Sequence, residues 1–179
     1  MILYHTSNQE IRKPDIHHGR KNADFGWGFY LTPDREFACR WAKDEAIVNI
    51  YELDLDDLSV HRFSRSPEWF EYIFYNRRLQ DGLNTDVVIG PIANDTIFDT
   101  LGIISSGFLT SEQAAKLLMI GPEYTQLAIK TEKAAAKLKW LGTDKIERAD
   151  VKTRKAEQEA YQEKLAEELE KILDGDKEN

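Results

Sequence analysis

Apolar residues come in short bursts along most of the chain and thin to a sparse helical stripe near its end. Residues 1–5 and 27–32 are apolar and aromatic runs that read as strands, and the polar stretch between them, broken by Pro14 and Gly19, reads as a loop. Thr32, Pro33 and Asp34 supply a helix start: a capping hydroxyl, proline at the first helical position and an acid in the first turn. Phe37, Cys39 or Arg40, and Trp41 then form the buried side of a helix to about residue 45. Residues 47–53 return as a nearly continuous apolar strand, and residues 58–63 form a further strand. Ser66-Pro67-Glu68 opens a helix carrying Trp69, Phe70, Ile73, Phe74 and Leu79, which Asp81-Gly82 ends. A buried strand at 86–91 stops at Gly90-Pro91. Helices are expected at 94–101 and 110–120, the last strand at 126–129, and a helix at 131–138.

Many short strands with interspersed helices, and no strict strand-helix alternation, predict an α+β fold over a doubly wound sheet. From residue 144 to about 173 glycine and proline vanish and apolar residues thin to a stripe ending in Leu165, Leu169 and Ile172. The chain therefore reads as a domain of residues 1–143 and a charged helical extension of residues 144–179 with a frayed end. The stripe could lie along its own domain, project freely, or engage a helical protein partner.

Hydrophobic residues make up 41% of the 179, enough for one substantial core and too few residues for two ordinary domains. No basic leader precedes an apolar segment at the N-terminus and no apolar run approaches membrane-spanning length, so a cytoplasmic protein without a membrane association is expected. Cys39, the single cysteine, forms no intrachain disulfide and no thiolate metal site, and His17 and His18 form a loop pair without a second ligand cluster, so no metal is expected. The net charge of -8 is split evenly: residues 144–179 hold 12 acids and 8 bases, residues 1–143 hold 20 and 16. Broad electrostatic binding to nucleic acid is not indicated. Local clusters at Arg12, Lys13, Arg20 and Lys21, and at Arg62, Arg65, Arg77 and Arg78, read as solvated surface or as phosphate contacts.

The chemistry concentrates in two places. Tyr4-His5-Thr6-Ser7 puts a histidine near the end of the first strand, and Gly26-Trp27-Gly28-Phe29-Tyr30 puts two glycines before the second. Glycine permits positive φ and close backbone approach, and an aromatic strand offers a stacking face. These glycines precede a strand and no Gly-Lys-Ser/Thr occurs, which excludes the usual dinucleotide and P-loop fingerprints.

His5-Thr6-Ser7, then Phe25 to Tyr30, then a helix with Ala38 and Ala42, resembles the NAD-binding core of diphtheria-toxin-like and PARP-like ADP-ribosyltransferases. Residues 1 to about 140 are similar to an uncharacterised bacterial domain family associated with that fold, and the helical tail lies outside the resemblance. The resemblance implies a split, strongly bent sheet with flanking helices and a long C-terminal helix. It implies NAD as substrate, and a transferase of the bacterial toxin or effector kind. His5 would hydrogen-bond an NAD ribose, the backbone at Thr6 would meet the carboxamide, and Tyr30 would stack on the nicotinamide, with Gly26, Gly28 and Phe29 lining the pocket.

The family's third residue is a glutamate that stabilises the oxocarbenium-like transition state. Here the matching position is Gln126, which keeps the hydrogen bond and lacks the charge; losing one such group costs on the order of 10² to 10³ in rate. Asp95 and then Glu123 are the candidates for a supplementary acid. The acceptor stays open among protein, nucleic acid and small molecule, and so does a non-catalytic NAD-binding, nucleotide-binding or protein-interaction module on the same fold.

Overall fold

The computed structural model describes residues 1–40, 42, 46–78, 82–93, 117, 123–146, 159–160 and 162–171. The chain divides into two compact units, residues 1–92 with 124–151 and residues 93–123 with 152–179.

The first unit is α+β. One sheet has the order β1 (Ile2–Ser7), β3 (Ile47–Leu53), β7 (Leu138–Lys145), all antiparallel. The other has the order β2 (Phe29–Leu31), β6 (Thr125–Ile129), β5 (Val87–Pro91), β4 (Val60–Arg62), antiparallel except for the parallel β4–β5 pair. The sheets join where Tyr4 and Thr32 exchange backbone hydrogen bonds of 2.8 and 3.0 Å.

Alternation along these strands builds the core. Leu3, Tyr51, Leu53 and Leu138 from the first sheet meet Phe29, Leu31, Val87, Ile89, Leu127 and Ile129 from the second in one buried cluster. Full burial of such a side chain contributes roughly 1.5–3 kcal/mol. The loop after β1 is strapped over this inner face: Asn49 accepts from Ile11 N at 2.9 Å and donates to Gln9 O at 3.0 Å, and the Tyr51 hydroxyl donates to Ile11 O at 2.6 Å.

Helix α2 (Pro67–Asn76) starts as its sequence indicates, with Ser66 accepting from Trp69 N at 3.2 Å and proline in the first turn. Helix α1 (Arg35–Cys39) differs from the expected one. Its cap is Asp34, which accepts from Phe37 N at 3.0 Å, while the Thr32 hydroxyl donates instead to Thr125 O at 2.8 Å. A carboxylate one position before the helix satisfies the free N–H groups, and Thr32 is taken by the sheet junction.

The largest departure is at the end of the unit. The helix expected over 131–138 is only α3 (Glu132–Ala135), capped by Thr131, and the strand at 126–129 is not the last. Strand β7 follows, pairing with β3 with a bulge that skips Leu141, since Ile50 pairs with Gly142 and Tyr51 with Trp140. It carries the chain through Lys145, beyond the point where the extension was expected to begin. The Lys- and Ala-rich composition of residues 131–138 favours helix, but pairing of the chain with β3 from Leu138 on ends the helix early.

In the second unit, residues 162–171 are helical, with Leu165, Glu168 and Leu169 half-buried and the other positions exposed. The helices expected at 94–101 and 110–120 lie outside the described residues, apart from Leu117, which is helical and buried.

Candidate functional site

Strand β1 sends His5 toward the inner face and Thr6 to the opposite one. The His5 ring lies 4.4 Å from that of Phe29, and its Nδ1 is 2.7 Å from Tyr30 O. A carbonyl only accepts, so Nδ1 carries the proton and Nε2 presents a lone pair. Burial lowers the imidazole pKa from 6.5, opposed by the bond to Tyr30, which keeps the ring neutral at pH 7. The Thr6 hydroxyl is occupied, donating to Ala38 O of α1.

Tyr30 closes the glycine turn that precedes it. Its hydroxyl donates to Gly26 O at 2.7 Å and accepts from Phe25 N at 2.9 Å, and Gly26 has the positive φ of 77° that such a turn needs. Gly28 serves close packing within the fold: a Cβ there would stand 2.7 Å from Ile129 O of β6. Phe29 faces the core, in edge contact with Tyr51 at 5.7 Å, whereas Tyr30 is on the other face of β2 against Phe25. His5 and Tyr30 therefore approach from two sides of one strand and meet through the carbonyl of residue 30.

Tyr30 is register partner to Ala128, so Gln126, two residues along β6, shares its face. Gln126 is buried, and its Nε2 donates to Asp24 Oδ2 at 3.0 Å. Asp24 Oδ1 receives Arg77 Nε at 2.8 Å and Nη2 at 2.6 Å, with the ionic side chains only 10% and 12% exposed. Asn76 Nδ2 donates to Asp24 O at 3.1 Å, while Asn76 Oδ1 is fully enclosed without a hydrogen-bond partner among the described residues. Lys130 Nζ donates to Phe25 O at 2.9 Å and to the Tyr72 hydroxyl at 3.2 Å. Phe25, Phe63 and Tyr72 stack around this network, Phe63 and Tyr72 at 4.9 Å. Gly90 makes room for them, since a Cβ there would press on Phe63 and Phe25 at 3.0 and 3.1 Å.

The fold thus gathers His5, Gly26, Gly28, Phe29, Tyr30 and Gln126 around residues 24–30, turns the Thr6 side chain away, and leaves Glu123 exposed. Asp95 lies outside the described residues. Arg77, expected as solvated surface or as a phosphate contact, is instead the ion-pair partner of Asp24. Asp24, Asn76 and Arg77 are the members that reading the sequence missed. A signal existed: Asn76 and Arg77 follow Trp69 and Ile73 at i+7 and i+8, so polar groups sit on the buried stripe of a helix. A cleft of about 650 Å3 lined by Met1, Glu52, Asp54, Asp56, Lys137 and Lys139 among others includes none of these residues.

Two small sheets joined at a histidine strand, with a buried charged network on the outer face of the second, define an α+β protein built around a polar, aromatic site. Over residues 1–140 the chain matches the model of a family described as protein of unknown function (DUF3990), and it belongs to that family. No curated protein matches it. Among the described residues no helix is long and apolar enough to cross a membrane, and no group of three or more His, Cys, Asp or Glu could hold a metal ion.

Proposed function

We propose that the chain is an NAD-dependent ADP-ribosyltransferase whose NAD site is built on β1 and β2. The observation that carries the reading is the 2.7 Å contact of His5 Nδ1 with Tyr30 O, which locks a neutral imidazole to the strand bearing the stacking tyrosine. His5 Nε2 is then an acceptor for a ribose hydroxyl, and the half-buried Tyr30 ring is a flat face for a cationic pyridinium. In the transfer, the bond from C1' to the nicotinamide nitrogen breaks with its electron pair leaving on nicotinamide. The acceptor's nucleophile bonds to C1' and gives its proton to solvent or a base. The acceptor is a protein side chain, a nucleic-acid base or a small molecule, and the C-terminal helix is a surface for a helical partner.

One observation favours a second reading. Gln126 holds no charge and its amide is engaged with Asp24, as in a module that binds NAD or a related nucleotide without turning it over. Purified full-length protein incubated with labelled NAD and cell extract separates the two. Nicotinamide release with a mass-shifted acceptor is the expected result; binding by calorimetry without release selects the second reading, and no binding refutes both.

A further inference from the structure

We propose that Asp24 positions Gln126, turning its side-chain carbonyl toward the ligand so that it takes the hydrogen-bonding role of a glutamate oxygen. The inference rests on reading the site as an NAD cleft. A primary amide has two nearly isosteric ends, one donating and one accepting, and nothing in the amide itself decides which faces a ligand. An ionised carboxylate accepts only. Asp24 Oδ2, 3.0 Å from Gln126 Nε2, therefore draws the NH2 end to itself and turns the carbonyl Oε1 the other way. With Nε2 held by Asp24, Oε1 is the end of the Gln126 amide left to a ligand. Gln126 thus offers a pure acceptor, the role a glutamate oxygen would play toward a ribose hydroxyl.

The orientation of Asp24 is itself determined. Arg77 grips Oδ1 through two nitrogens and Asn76 grips the backbone carbonyl, so both ends of the residue are tied to α2. Among the described residues, three of the six buried polar ones, Asp24, Asn76 and Gln126, converge on this one network. Burying an ion pair gives little net stability compared with apolar packing, so a purely structural account explains its presence poorly. The arrangement fixes Asp24 through Arg77 and thereby fixes which end of the Gln126 amide is free to accept.

A charge swap tests this. Asp24→Asn removes the orienting carboxylate and Gln126→Glu places two carboxylates side by side, so each variant is expected to weaken NAD binding about tenfold. The double variant D24N/Q126E moves the charge from the loop to the strand and is expected to return to within about threefold of wild type. Among the described residues, Arg77 from α2 faces the pair, ion-paired to Asp24 Oδ1. The side-chain amide signals of Gln126, followed by nitrogen-15 NMR without NAD, give a readout independent of the ligand. They should move strongly in Asp24→Asn and little in Asp86→Asn. Unchanged Gln126 signals in a folded Asp24→Asn, or a double variant no better than the weaker single one, overturns the inference. Wild-type protein that binds no NAD refutes the cleft reading, whereas the amide signals judge the pairing separately.

Discussion

Replacing Tyr30 by phenylalanine separates two duties that one side chain performs. The ring face stays, so stacking on a flat ligand survives, while the bonds to Gly26 O and from Phe25 N are both lost. Phe25 is fully buried, so its N–H is left without a replacement partner and the Gly26 carbonyl loses its strongest donor. An unsatisfied buried group costs about 1–3 kcal/mol, and partial access of water to the turn puts the sum at roughly 2–4 kcal/mol. At about 2–4 °C per kcal/mol for a chain of this length, Tm should fall by roughly 5–15 °C. Differential scanning fluorimetry measures that fall, and calorimetry at 15 °C, where the variant is folded, measures NAD affinity. Tyr30→Phe should keep affinity within about threefold of wild type, since stacking is tolerant of the hydroxyl, and Tyr30→Ala should lose it. An unchanged Tm refutes the view that the hydroxyl staples the glycine turn; equal loss of affinity in both variants refutes the stacking role of the ring.

Other outcomes follow from named contacts. Asp86 accepts from Thr131 Oγ1 at 2.6 Å, Ser59 N at 2.9 Å and Lys133 Nζ at 3.2 Å, and these hold its carboxyl well below the usual range, led by Thr131. A depressed carboxyl contributes stability that is full above its unfolded pKa, about 3.9, and lost as pH falls below it; the urea midpoint should drop between pH 5 and 3 in wild type, by less in Asp86→Asn, and parallel curves would contradict the assignment. For His5, whose pKa burial lowers from 6.5, the unfolded chain takes up the proton more readily, so its contribution to stability declines as pH falls below about 6.5. NAD affinity should fall in the same acid direction as Nε2 loses its lone pair, and an affinity that rises toward pH 5 would exclude an acceptor role. Gly28→Ala forces a Cβ to within 2.7 Å of Ile129 O and should destabilise by about 1–3 kcal/mol in chemical denaturation, whereas Gly82→Ala, with open space around it, should not.

Local signals were legible where one residue type has one physical use. Ser66-Pro67 started α2 as read, and the glycine turn before Tyr30 did contain a positive φ, at Gly26. Gly28 carried the same signal with another cause, since the group it admits so closely is the backbone of β6. The α1 cap moved from Thr32 to Asp34 because a strand 93 residues away in sequence competed for the threonine hydroxyl.

By itself the sequence determined that the chain is α+β and that His5 and Tyr30 stand on two short strands flanking a loop. Those facts depend on periodicity, glycine and proline, which act over a few residues. Tertiary structure decided the rest. It made 138–145 a strand because β3 had an open edge, and it set His5 and Tyr30 on two sides of β2 because alternation fixes each face once register is chosen. It also brought Asp24, Arg77 and Gln126 together from a loop, the end of a helix and a strand. No local pattern encodes that meeting, because the cost of burying each polar group is offset only by partners remote in sequence.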